Sequence, residues 1–164
     1  MRSGWDPATF AALYERHTPK LYGLALRLAG GAEADAEDLV HQCWLRAAIA
    51  RRPFAGRSTF SSWLCGILVN IYRESLRKRW SGQEEEPAIE TPSPVWGLDL
   101  ERILGRMQPQ WREVVVLHDL YGYTHDEIAR ALDLSEGTSK SRLSRARAWL
   151  RQQCQSSRRH HETG

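Results

Sequence analysis

The stretch YTHDEIARALDLSEGTSKSRLSRAR, residues 123–147, constrains the fold more tightly than any other part of the chain. It reads as two helices joined by a tight turn. Thr124 stands three residues before Glu127, so its hydroxyl can cap a helix start while the Glu127 carboxylate reaches back to the Thr124 amide. Ile128, Ala129 and Leu132 follow as one apolar stripe at helical spacing. Ala129 is small, which lets a second helix cross close by. Leu134 points inward from the turn, and Ser135 is a second good cap. Glu136 suits the positive end of the next helix dipole.

In that second helix Leu143, Ala146 and Leu150 keep an apolar face, while Lys140, Arg142, Arg145, Arg147 and Arg151 line the others. Residues 137–159 hold seven Lys or Arg and no Asp or Glu, the footprint expected of a helix facing phosphates. A basic helix alone is more simply a solvated face. Caps, small residue, turn and one-signed face together point to a helix-turn-helix with its second helix in a DNA major groove.

The rest of the chain reads as further helices, so the fold class expected is all-α. Asp6-Pro7 is a cap followed by a first-turn proline. Phe10, Leu13, Tyr14 and His17 share a face; Thr18-Pro19 repeats the start signal, and Leu21, Tyr22, Leu24, Ala25 and Leu28 extend the stripe to Gly30-Gly31. A helix over about 33–50 opens with Glu33, Asp35, Glu37 and Asp38 and buries Leu39, Val40, Cys43, Trp44 and Ala47. The loop FAGRS, residues 54–58, leads into a helix over 59–79 with Phe60, Trp63, Leu64, Ile67, Leu68 and Ile71 as its core stripe. Arg73, Arg77, Lys78 and Arg79 make its far end basic. Residues 98–107 predict a short helix. Pro109 opens another, with Val114, Val115, Leu117, His118 and Leu120 mostly inward and Gly122 as its cap.

Net charge is +3, too small to decide anything, but its distribution divides the chain: residues 80–101 hold six acidic side chains and no basic one. With Gly82, Pro87, Pro92 and Pro94 this stretch reads as a flexible acidic linker. The organisation expected is a helical domain over 1–80, a linker over 81–97, a helix-turn-helix domain over 98–155 and a flexible tail over 156–164. No apolar run is long enough to span a bilayer, and no secretory h-region follows Arg2. Three widely spaced cysteines, Cys43, Cys65 and Cys154, suit a reducing cytoplasm. No phosphate loop, dinucleotide fingerprint, HExxH or CxxC is present, so no catalytic residue and no cofactor is expected. His160-His161 with Cys154 lacks paired ligand spacing, so no metal site is expected.

Four segments together resemble the sigma-70 family of RNA polymerase sigma factors, in its extracytoplasmic-function (ECF) group: DAEDLVHQCWLRAA (35–48), FAGRSTFSSWLCGILVNIYRESLRK (54–78), PQWREVVVLHDLYGYTHDEIARALDLSEGT (109–138) and SKSRLSRARAWL (139–150). That resemblance implies two partners, core RNA polymerase and promoter DNA. The first domain would dock on polymerase and hold the melted −10 strand; the second would read the −35 duplex. Residue by residue, it implies polymerase contacts at Asp38, Leu39 and Gln42. It implies −10 contacts at Phe54, Gly56 and Ser58 in the loop and at Asn70, Arg73, Arg77 and Lys78 on the helix. For Trp63 mainly a core role is expected. Lys140, Ser141, Ser144 and Arg145 match positions that face bases, and Arg142 and Arg147 match backbone contacts. An anti-sigma factor is implied by likeness alone. Ser139 stands where the family usually has an aliphatic residue, which either weakens packing or leaves a hydroxyl for a partner. The competing expectations are a polymerase-independent helix-turn-helix regulator and a metal-dependent enzyme or sensor built on the Cys and His residues.

Overall fold

The computed structural model describes residues 5–50, 59–80 and 98–161. Phe54, Gly56 and Ser58, the acidic stretch 81–97 and the last three residues of the expected tail lie outside the described residues. Every described element is helical, and the chain divides into two compact units, Met1–Pro92 and Ser93–Gly164.

The first unit is a bundle of three helices, α1 (Pro7–Leu28), α2 (Glu33–Ile49) and α3 (Phe60–Trp80), each packed on the other two. Asp6 caps α1 by accepting from the Thr9 amide at 3.2 Å. The second start predicted at Thr18-Pro19 does not occur; α1 runs through Pro19 without a break. A proline inside a helix removes one N–H donor, and here the Thr18 hydroxyl donates to the Tyr14 carbonyl at 2.6 Å beside the gap. Leu21, Leu24, Ala25 and Leu28 are buried as the spacing requires. Gly30 and Gly31 take positive φ and stop the helix, with the Gly31 amide donating back to Leu26 at 2.9 Å.

On α2 the buried stripe is Ala36, Leu39, Val40, Cys43, Trp44 and Ala47. On α3 the core is Leu64, Cys65, Leu68, Val69, Ile71 and Tyr72. Cys65, Val69 and Tyr72 thus enter the core unforeseen. Trp63 and Ile67 are only half-buried, so Trp63 is not the core residue expected. Its ring leans on Phe60 instead, with centroids 5.4 Å apart. Phe60 also meets His17 and Trp44, and Trp44 meets Phe10 and Tyr14, which closes the end of the bundle with an aromatic layer.

The second unit comprises α4 (Leu98–Arg106), α5 (Pro109–Val115), a π-helical turn (Val116–Leu120), α6 (His125–Leu132) and α7 (Glu136–His161). Val114, Val115, Val116 and Leu117 are all buried, so this segment is enclosed on several sides. The π turn widens the spacing, with the Tyr121 amide donating to the Val116 carbonyl five residues back. One consequence contradicts the sequence pattern: Leu120, expected inward, is 44% exposed, while Glu113 is buried. Gly122, at φ 72, closes the turn as predicted.

The capping box of α6 forms in both directions: the Glu127 amide donates to the Thr124 hydroxyl at 3.2 Å and the Thr124 amide to the Glu127 carboxylate at 2.8 Å. Ser135 caps α7 through the Thr138 amide at 3.0 Å. The expected tail is not a break at 156: α7 continues to His161. Arg and Gln, which dominate the segment after Leu150, are good helix formers, and no Gly or Pro interrupts them.

Candidate nucleic-acid interface

Helix α7 separates its residues by face. Ser139, Leu143 and Ala146 are buried against α5 and α6. Lys140, Ser141, Ser144, Arg145, Arg147 and Arg151 are exposed, and Arg142 is half-buried. None of these arginines is buried in the domain. Lys140 lies 3.5 Å from Glu136 one turn back, a loose exposed pair that leaves the ammonium accessible. The Ser141 hydroxyl donates to the Thr138 carbonyl at 3.0 Å, so its oxygen remains as an acceptor. Arg142 lies on the flank towards buried Glu113. Burial pushes the Glu113 carboxyl up to about 7, with Arg142 and Arg112 pulling the other way.

The opposite flank of α7 is fastened to the π turn. Arg147 forks onto Asp119, Nε to Oδ2 at 3.1 Å and Nη2 to Oδ1 at 2.6 Å. His118 Nδ1 sits 2.8 Å from the same Oδ1. The Arg147 hydrogen bond holds the Asp119 carboxyl below its usual range, with His118 adding to it against the effect of burial. The His118 ring stacks on His125 with centroids 4.7 Å apart. His125 Nδ1 meets the buried Ser139 hydroxyl at 2.8 Å. The hydroxyl that replaces the family's aliphatic residue thus finds its partner inside the domain. Sequence reasoning missed Asp119, His118 and His125; ion pairs across 28 residues leave no local signal.

In the first unit Asn70 is exposed on α3, with Arg77 and Lys78 exposed and Arg73 half-buried along the turns that follow. Asn70, Arg73 and Arg77 fall at i, i+3 and i+7, one face. Glu74 is drawn towards α2, where Arg46 grips it at 3.0 and 2.6 Å and lowers its pKa. On α2, Asp38 and Gln42 are exposed, but Leu39 is 6% exposed and belongs to the core stripe, not to the outer face. The outer face instead continues through Leu45 and Ile49, 53% and 77% exposed. The spacing 38, 42, 45, 49 is helical and was present in the sequence. Beside it a groove of about 640 Å³ runs between α1 and α2, lined by Tyr14, Thr18, Tyr22, Asp38, His41 and Trp44 among others.

Among the described residues no three His, Cys, Asp or Glu side chains gather as metal ligands. Among them, too, no helix is long and apolar enough to cross a membrane. Burial raises the Cys43 thiol to about 12, and Cys154 is the exposed cysteine.

An all-helical protein of two units, one presenting a cationic helix from a helix-turn-helix, is of the DNA-binding class. Comparison with known proteins narrows that class. The model described as Sigma-70 region 2 matches residues 13–82, and Sigma-70, region 4 matches residues 97–150. The chain is 33% identical over 151 residues to the ECF RNA polymerase sigma factor SigM of Mycobacterium tuberculosis, covering 88% of this chain and 76% of that one. It is 32% identical over 162 residues to the ECF sigma factor SigE of Mycolicibacterium smegmatis, covering 90% of this chain but 60% of the relative. The sigma factor RpoE from Bartonella quintana, solved with the anti-sigma factor NepR, superposes with a TM-score of 0.67 at 28% identity, covering 87% of this chain and 94% of that one. CnrH, solved with the cytosolic domain of CnrY, gives 0.61 at 26% identity, covering 94% and 92%. The chain belongs to the sigma-70 family of RNA polymerase sigma factors, within the ECF group.

Proposed function

We propose that the chain confers promoter specificity on core RNA polymerase, with each unit taking a different piece of one promoter. The observation that carries this reading is the outward cationic face of α7 in a chain with both sigma regions. In the reading, α7 enters the −35 major groove, with Lys140, Ser141, Ser144 and Arg145 at base edges and Arg142 towards the backbone. A bidentate Arg to guanine contributes about 1–3 kcal/mol of discrimination. In the first unit Asn70 takes a base of the melted −10 strand, because an exposed amide both donates and accepts at a base edge. Arg73, Arg77 and Lys78 track the phosphates; Phe54, Gly56 and Ser58 complete the capture by family likeness. Asp38 and Gln42, with Leu45 and Ile49, form the face for polymerase.

An anti-sigma factor covering that same α2 face is part of the proposal, supported by the NepR and CnrY complexes of the structural relatives. The chain acts by binding; no catalytic role is assigned to any residue.

The test is reconstitution. Purified core polymerase plus this chain, transcribed on a promoter library, should give defined start sites absent with core alone; without them the proposal fails. Tight specific duplex binding by the chain without polymerase would instead favour a stand-alone regulator. Within the reconstituted system Asn70→Ala should spare the closed complex and reduce open-complex formation, read by permanganate footprinting. Unchanged melting would remove Asn70 from its role.

A further inference from the structure

Arg147 is exposed on the same stripe of α7 as Lys140 and Ser144, at i+7 and i+3 from them, yet its guanidinium is turned back onto the domain. Both oxygens of Asp119 are occupied by it, and His118 holds one of them from the other side. The π turn is what brings Asp119 there: the widened turn faces Leu120 to solvent and aims the preceding carboxylate at α7. The His118 ring is in turn stacked on His125, which is hydrogen-bonded to Ser139 of α7. The cation is therefore held by a chain of contacts that closes on the helix carrying it.

We infer that Asp119 is a positioning residue of the DNA interface: by clamping Arg147 it withholds one cation from the DNA backbone, which limits sequence-independent affinity and leaves the base contacts to Lys140, Ser144 and Arg145. This rests on reading α7 as the −35 helix. A phosphate contact is indifferent to sequence, and each one adds about 0.9 to the slope of log affinity against log salt. An unclamped Arg147 would therefore strengthen binding to every duplex by about the same factor and make that binding more sensitive to salt. The clamp thus lowers the sequence-independent part of the affinity and leaves discrimination to the side chains at base edges.

The experiment uses holoenzyme assembled from core polymerase and the full chain, bound to duplexes with the selected or a scrambled −35 element, titrated from 50 to 200 mM salt. Asp119→Ala should steepen the salt slope by about 0.9, an extra loss of about 3-fold across that range. It should also tighten binding to the scrambled duplex and to the promoter by about the same factor. Asp119→Glu, which keeps the carboxylate, should restore the wild-type slope. Adding Arg147→Ala to Asp119→Ala should return the slope to the wild-type value, which a merely destabilised domain would not do. If Asp119→Ala fails to fold, Arg147→Ala alone decides: an unchanged slope supports the clamp, and a slope lowered by about 0.9 overturns it, because Arg147 would then already sit on phosphate. A wild-type holoenzyme that prefers neither duplex overturns the reading of α7 itself. Wild-type preference with an unaltered Asp119→Ala slope overturns the clamp alone.

Discussion

The two units place their polarity in opposite ways. In the N-terminal unit the core is apolar, with the Cys43 and Cys65 thiols as its softest members, and apolar side chains escape onto the outer face of α2. In the C-terminal unit the outer face of α7 is cationic and hydroxylic, and the polar groups Glu113 and Ser139 go inside. Exposed apolar side chains on a rigid helix are suited to a protein surface, where their burial drives binding. An exposed row of cations is suited to a polyanion. The contrast teaches that one chain presents two kinds of face, and that each face is made by what its own unit keeps out of the core.

The sharpest way to break the contrast is to put charge on the apolar face. Leu45→Asp with Ile49→Asp should cost about 4 kcal/mol of polymerase binding, roughly a thousand-fold, as expected for two interface anchors. Both side chains already face solvent, so thermal stability should hold. Core-binding titration checks the first statement and a melt the second. Binding within about three-fold of wild type would remove α2 from the polymerase interface.

The legibility of the two faces in the sequence differed for a physical reason. The α6–α7 region was readable because capping is local: Thr124 and Glu127, or Ser135 and Thr138, lie three residues apart and find one another wherever the helix begins. The π turn was not readable, because four consecutive buried residues, Val114, Val115, Val116 and Leu117, carry no periodicity from which a change of phase could be seen. Leu45 and Ile49 are legible in the sequence at helical spacing from Asp38 and Gln42, but an apolar residue outside the buried stripe carries no local mark of what it faces. Arg147 looked like every other cation of α7 until its partner, distant in sequence, was placed beside it.

A second test addresses the polar interior. Burial pushes the Glu113 carboxyl of the folded state up to about 7 from its ordinary 4.5. The folded state therefore binds the proton more strongly. Its contribution to stability is complete below 4.5 and is lost as pH rises through about 7. Glu113→Gln, always neutral, should be more stable than wild type at pH 8 by about 3 kcal/mol, and the gap should close towards pH 4.5. Urea denaturation at both pH values measures it. A gap of the same size at both would show that charge is not its origin.

A third addresses the outward face of α7. Arg145→Ala should relax one position of the −35 element by about 2 kcal/mol and leave the remaining positions in order. Binding to a library randomised across the element reads this directly. A uniform loss across all sequences would place Arg145 on phosphate.

The smallest effect isolates the inner side of the same helix. The Ser139 hydroxyl is buried and bonded to His125 Nδ1, whose ring is half-buried and can turn to water. Ser139→Ala removes the bond but strands no fully enclosed group, so it should cost about 1 kcal/mol, a fall in melting temperature of about 4–8 °C for a domain of this size. Ser144 and Arg145 look the other way, so the salt slope of DNA binding should stay as it was. An apolar replacement of family type, Ser139→Val, should not recover the loss, because it sets methyl groups against a ring nitrogen in a fully buried site. If Ser139→Val matched or exceeded wild-type stability, the hydroxyl would be a tolerated departure rather than a working contact, and the C-terminal interior would differ from the N-terminal one only through Glu113.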